Sequence, residues 1–167
     1  MKKKNILQIE QSADFEIVGI SIAIKDFSFC SKLNNMLDFK FDRHIINIPE
    51  FHDNKDGLFS VFYYNDHENY MDYFLINNKG IIDSTEKLVV KLIPEYKNMD
   101  FFMIILENDK EDFIENLRNN IREKTSATTL KIDSNSLKIN SIEYFNFIIS
   151  HIKSINEQMP RRKIRKN

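Results

Sequence analysis

The sequence predicts an α+β fold: a mixed β-sheet of four to six strands with helices packed on it. Three observations lead there. Two aromatic-rich runs flank turn residues in LFSVFYYNDHENYMDYFLINN (58–78), the pattern of an antiparallel hairpin. MDFFMIIL (99–106) is an almost unbroken apolar run, as expected of a strand buried on both faces. Several segments carry apolar residues at spacings of three and four, the period of an amphipathic helix.

Taken in order, FEIVGISI (15–22) is β-branched, partly alternating, and reads as a strand. Ile24, Phe27, Cys30, Leu33 and Leu37 then mark one face of a helix over 24–38. DFKFDRHIINIPE reads as an irregular crossing with a short strand at 44–48. The hairpin follows, with strands at 58–64 and 70–77 and NNKG (77–80) ending it. STEKLVVKL (84–92) reads as a short helix capped by Ser84 or Thr85. After the strand at 99–106, Asn108 and Glu111 have capping-box spacing, and Phe113, Ile114, Leu117 and Ile121 make a helix over 109–123. SATTLKID (126–133) is a further strand, so 99–132 is expected to form a βαβ crossover with two parallel strands. A last helix, with Asn140 and Glu143 at capping spacing, runs to about 156 before Pro160. Phe102, Ile104 and Ile105 are expected in the core, with Phe145 and Ile149 against the sheet.

The 167 residues suit a single domain, expected over 14–156 between a basic N-terminal extension (1–13) and a basic C-terminal tail (157–167). At 42% hydrophobic and 29% charged, the chain is globular rather than disordered. The net charge of −1 conceals an asymmetry. Lys2, Lys3 and Lys4 lie at one end; Arg161, Arg162, Lys163, Arg165 and Lys166 lie at the other. All 25 acids lie between, giving residues 5–159 a balance of −9 against their 16 basic residues. Lone Cys30 suits a reducing compartment, and no apolar run reaches the ~20 residues that span a bilayer. The expectation is a cytoplasmic protein with no membrane segment.

Ile-Pro-Glu occurs twice, at 48 and at 93. Met-Asp-aromatic-Phe also recurs, at 71 and 99, but with a different offset, so the chain is not an internal duplication. Proline lacks an N–H and keeps the residue before it extended, which suits strand ends and loop entries. The second copy, IPEYKNMDF, resembles the signature of the small bacterial family named for the pattern IPExxxVDY. Ile93, Pro94, Glu95 and Asp100 match at the required spacing, while Met99 replaces Val and Phe101 replaces Tyr. The resemblance implies a similar fold over about residues 14–155; it implies no defined activity.

Glu95 and Asp100 admit two readings: a carboxylate pair for acid–base or metal chemistry, or acids serving the local backbone. The second is preferred, because two carboxylates with no His, Cys or phosphate loop specify no reaction. His44, His52, Asp53 and Asp56 form a metal-like group, but HDNKDG places Tyr63 where a calcium loop requires Glu. Asp56-Gly57 reads instead as a turn. No metal and no cofactor are expected. Cys30 reads as a buried small hydrophobe. The hairpin aromatics, chiefly Tyr63, Tyr64, Tyr70 and Tyr73, are a candidate interaction surface. Alternation puts Phe59, Val61 and Tyr63 on one face and Leu58, Ser60, Phe62 and Tyr64 on the other.

The leading functional expectation is a non-enzymatic protein-interaction factor with an unidentified protein partner. The alternatives are an RNA-associated factor using Arg161, Arg162, Lys163, Arg165 and Lys166, or an enzyme with a novel site at Glu95 and Asp100.

Overall fold

The structure, a computed structural model, describes residues 14–82, 87–106 and 112–158. Its elements are β1 (Glu16–Ser21), α1 (Asp26–Leu37), β2 (Asp42–His52), β3 (Lys55–Asp66), β4 (Met71–Ile82), β5 (Val89–Lys91), a 3₁₀ turn (Pro94–Tyr96), β6 (Phe101–Leu106), α2 (Phe113–Thr125), β7 (Thr128–Ile132), a second 3₁₀ turn (Ser134–Ser136) and α3 (Ile139–Gln158). The class is α+β as expected. The sheet, however, has seven strands in the order β2-β3-β4-β6-β1-β7, with β5 beside the far end of β4. Every pairing is antiparallel, so the sheet is not mixed.

The expected βαβ crossover is the main correction. β6, α2 and β7 follow one another, and β6 and β7 run the same way because both are antiparallel to β1. They are not neighbours. β1 lies between them, with Gly19 opposite Phe102 on one side and Leu130 on the other. The intruding strand comes from a distant part of the chain, so nothing local in 99–132 announces it.

Two further segments differ from expectation. The crossing at 38–50 is a full edge strand, β2, joined to β3 by a two-residue turn in which Asp53 (φ 49°) and Asn54 (φ 57°) are both left-handed. Such turns match the twist of a hairpin, so the turn sits at 53–54 and not at Asp56-Gly57. Pro49 is tolerated because β2 pairs only with β3, leaving a side of the strand that needs no N–H. Residues 89–91 form β5, not a helix, as the β-branched Val89 and Val90 favour. The caps expected at Ser84, Thr85, Asn108 and Glu111 lie outside the described residues.

The hairpin runs past NNKG to Ile82. Between the pairs Val61–Ile76 and Phe59–Gly80, only Ser60 on β3 faces Asn77, Asn78 and Lys79 on β4, which makes a wide bulge. Gly80 ends no strand here. It leaves room for the Phe59 ring directly opposite, which any Cβ would strike.

The two sheet faces follow the alternation read from the sequence. Phe59, Val61 and Tyr63 lie on the α3 face, packed with Phe74, Phe102, Ile104 and α3's Ile142, Phe145 and Ile149. Phe62 and Tyr64 lie on the opposite face with Tyr73, Phe101, Met103, Ile105 and residues of α1 and α2. The α1 face is turned slightly from expectation: Phe29, Cys30 and Leu33 are buried, whereas Phe27 is 67% exposed. A buried Asp72 fastens α3 to the hairpin, accepting from Tyr63 Oη (2.6 Å) and Asn65 Nδ2 (2.7 Å) and pairing with Lys153 Nζ (3.2 Å). Burial pushes its carboxyl up, but these three partners outweigh that and hold it below the usual carboxylate range.

Candidate functional site

On the α3 side buried apolar residues run from Ile46 and Ile48 on β2 to Ile132 on β7. On the other side α1 and α2 stop short. Beyond α1, the outer halves of β2, β3 and β4, with β5, leave an open cleft of about 770 Å³. Its floor is aliphatic. Leu58 faces Ile81 across the β3–β4 pair, and Ile81 faces Val89 across the β4–β5 pair, so three strands place one row side by side. Ile45 lies diagonal to Leu58 on β2. Ile45, Ile81 and Val89 are 54%, 44% and 65% exposed. Leu58 and Ser60 belong to the hairpin face that the sequence assigned to one side; among the described residues, neither joins the core beneath α1 and α2.

The rim is charged. Arg43 donates to Ser60 Oγ (3.1 Å) and lies 3.7 Å from Asp26. Lys79 lies 3.4 Å from Asp100 and directly opposite Lys91 on β5. Burial and then the Lys79 charge lower the Lys91 ammonium, with Asp100 acting the other way. Asp100 is the motif residue that reaches this cleft. Its Oδ2 accepts from the Ile22 N–H (2.9 Å) and Ser21 Oγ (3.3 Å), and its own N–H donates to Ile20 (2.9 Å). It thereby fastens the end of β1 at the cleft floor.

The rest of the motif lies elsewhere. Ile93 is fully buried, and Pro94 opens the 3₁₀ turn. Glu95 Oε1 accepts from the Lys138 N–H (3.0 Å) and Ser141 Oγ (2.6 Å) at the start of α3. Its carboxyl is raised by burial, but the bonds from Ser141 and Lys138 prevail and hold it below the ordinary range. Glu95 thus caps α3 from another part of the chain, in the place assigned by sequence to Asn140 and Glu143. It lines a second, smaller cleft of about 410 Å³, with Phe51 and Tyr144. Glu95 and Asp100 therefore open onto different clefts.

Asn78 holds the segment together, a role the sequence reading missed. The β4 bulge turns this buried residue away from β3. Its Oδ1 accepts from the Ile93 N–H (2.9 Å), and its Nδ2 donates to the carbonyls of Met99 (2.8 Å) and Tyr96 (3.2 Å). Its backbone adds bonds to Leu92 and Asp100 (2.8 Å each). Two adjacent asparagines before Lys-Gly read as turn composition; a buried polar residue inside an apolar strand pattern was the signal to weigh instead.

The four tyrosines do not share one surface. Tyr63 faces α3 and bonds Asp72, Tyr73 is buried, Tyr64 stacks on Tyr73 with ring centres 5.8 Å apart, and Tyr70 stands 78% exposed at the β3–β4 turn. Asp56 is engaged with Asn47 Nδ2 and the Glu50 N–H, and His52 Nε2 lies 3.2 Å from Asp53. Among the described residues no group of three or more His, Cys, Asp or Glu is placed to hold a metal ion. Cys30 is buried, and burial, then Asp26 and Asp42, push its thiol up to about 11. Arg161, Arg162, Lys163, Arg165 and Lys166 lie outside the described residues. Among the described residues, no helix is long and apolar enough to cross a membrane. Comparison with known protein families and with curated proteins finds no match for this chain.

Proposed function

We propose that this protein is a non-catalytic interaction factor that binds a protein partner on the open half of its sheet. The observation that carries this reading is the row Leu58–Ile81–Val89, flanked by Ile45, which lines an open cleft and stays partly exposed while the neighbouring core of the sheet is buried. Exposed apolar surface rimmed by polar groups is characteristic of docking sites. The partner's chemistry follows from the rim. Lys25, Arg43 and Lys79 line the cleft with Asp26 and Asp100; Arg43 and Lys79 lie beside these two acids, which also bond the backbone N–H groups of Phe27 and Ile22, so the rim has one cation in excess. The fitting partner presents an aliphatic segment flanked by carboxylates.

The test compares wild-type protein with Ile81→Asp and Tyr70→Ala, all shown by thermal unfolding to be folded. Wild type and Tyr70→Ala should retain the same stoichiometric protein partner from cells, and Ile81→Asp should lose it. Equal retention by all three chains would refute the open face as the site.

A further inference from the structure

The other end of the sheet holds a further recess, on the face opposite α3 and beside the β3–β4 turn toward which α3 runs. A groove of about 670 Å³ is bounded by the α1–β2 connection, the β3–β4 turn and α2. Phe39, Tyr64 and Tyr73 supply aromatic walls, their rings in edge and stacked contact. Asp38, Asp66 and Glu68 line it, with His67, against a single cation, Lys40. Burial, followed by the charges of Asp66 and Glu68, raises the Tyr64 phenol, in keeping with a negative field inside the groove.

The register shows what else meets here. Asp72 at the start of β4 lies opposite Asn65 near the end of β3, and Lys153 of α3 reaches Asp72. Because α3 begins at Glu95 and passes Asp72, its last turn points beyond the β3–β4 turn. Gln158 lies five residues past Lys153, about 8 Å farther along the helix axis. The next nine residues, MPRRKIRKN (159–167), carry five cations. Extended, they span about 30 Å, enough to pass the turn and cross two layers of about 10 Å each. Arginine side chains suit this groove twice over, as ion-pair partners for carboxylates and as planes that stack on aromatic rings.

We infer that residues 159–167 dock in the acidic, aromatic groove beside the β3–β4 turn of their own chain. The contact leaves the open cleft at the opposite end of the sheet accessible, and holds the basic segment against the acidic body.

Asn167→Cys in the full chain keeps all five cations and accepts a nitroxide label, while buried Cys30 stays unmodified. The expected result is loss of amide signal intensity at Tyr64, His67 and Leu117, with Ile81 unaffected. The loss should be reversed in Asp38→Asn with Glu68→Lys. It should also be reversed as salt rises from about 0.1 to about 1 M, which shortens the screening length from about 10 to about 3 Å. Unchanged groove signals would overturn the inference, as would broadening that persists in the charge variant. So would broadening of an unlabelled, isotope-enriched chain mixed with a labelled one, since that assigns the groove to a second copy.

Discussion

At residue 48 the tripeptide Ile-Pro-Glu runs along the outer edge of the sheet, whereas at residue 93 it leads from a buried isoleucine into a surface 3₁₀ turn at the foot of α3. In the first copy Ile48 is buried against the α3 face, but Pro49 and Glu50 are exposed, and the pairing of β2 with β3 lapses between Ile48 and His52. Glu50 is left-handed (φ 50°), and its N–H is held by Asp56 (3.1 Å). In the second copy the Ile93 N–H is bound by Asn78, and Glu95 caps α3. Proline does the same thing both times: it removes a donor and keeps the preceding isoleucine extended. The difference lies in what the rest of the fold brings near. A buried amide and a helix start, both distant in sequence, convert one copy into a junction between sheet and helix. The other copy is a bulge on an edge strand.

The sharpest way to break this contrast is Asn78→Leu. It strands the Ile93 N–H and the Met99 carbonyl and takes one of two donors from the Tyr96 carbonyl, and should cost about 3 kcal/mol or more, read from urea unfolding. A loss under about 1 kcal/mol would mean that the second copy is not held by its partners. Next in size is Glu95→Gln, expected to cost about 1 kcal/mol at pH 7 through the weakened cap. The sign with pH follows from the lowered carboxyl. Its stabilisation is complete above the ordinary value of 4.5 and fades as pH falls through the folded-state value. The gap between wild type and Glu95→Gln should therefore close on acidification below 4.5. A gap unchanged at pH 3 would remove the carboxylate from the account. The smallest effect is expected in the first copy. Glu50→Gly relieves a left-handed residue and should stabilise by about 0.5 kcal/mol, whereas the same change at Glu95 should destabilise.

Much of this fold is legible in local patterns, because local patterns record burial. The alternation over 58–64 gives the correct faces, and the spacing of Ile142, Phe145 and Ile149 gives the face of α3 that packs on the sheet. What escapes is whatever depends on a partner far along the chain. β2 reads as irregular because its exposed positions include Asp42, Arg43, Ile45 and Pro49, an edge-strand mixture without clean alternation. The phase of α1 slips because its first turn projects Phe27 outward. In the motif, Asp100 and Glu95 can be expected to serve backbone groups, but the sequence does not name Ile22 or Lys138 as the recipients. The open cleft is hidden for another reason: alternation shows that Leu58 and Ser60 share a face with Phe62, but not where α1 stops.

The insertion of β1 between β6 and β7 has a kinetic consequence. β2, β3 and β4 are joined by short turns and can zip up locally, at little cost in chain ordering. β1 is made earlier than all of them, yet both of its neighbours emerge much later. During synthesis it must wait, apolar and unpaired, until the strands on either side exist. Of the strands described, the first to be made is thus among the last to be seated.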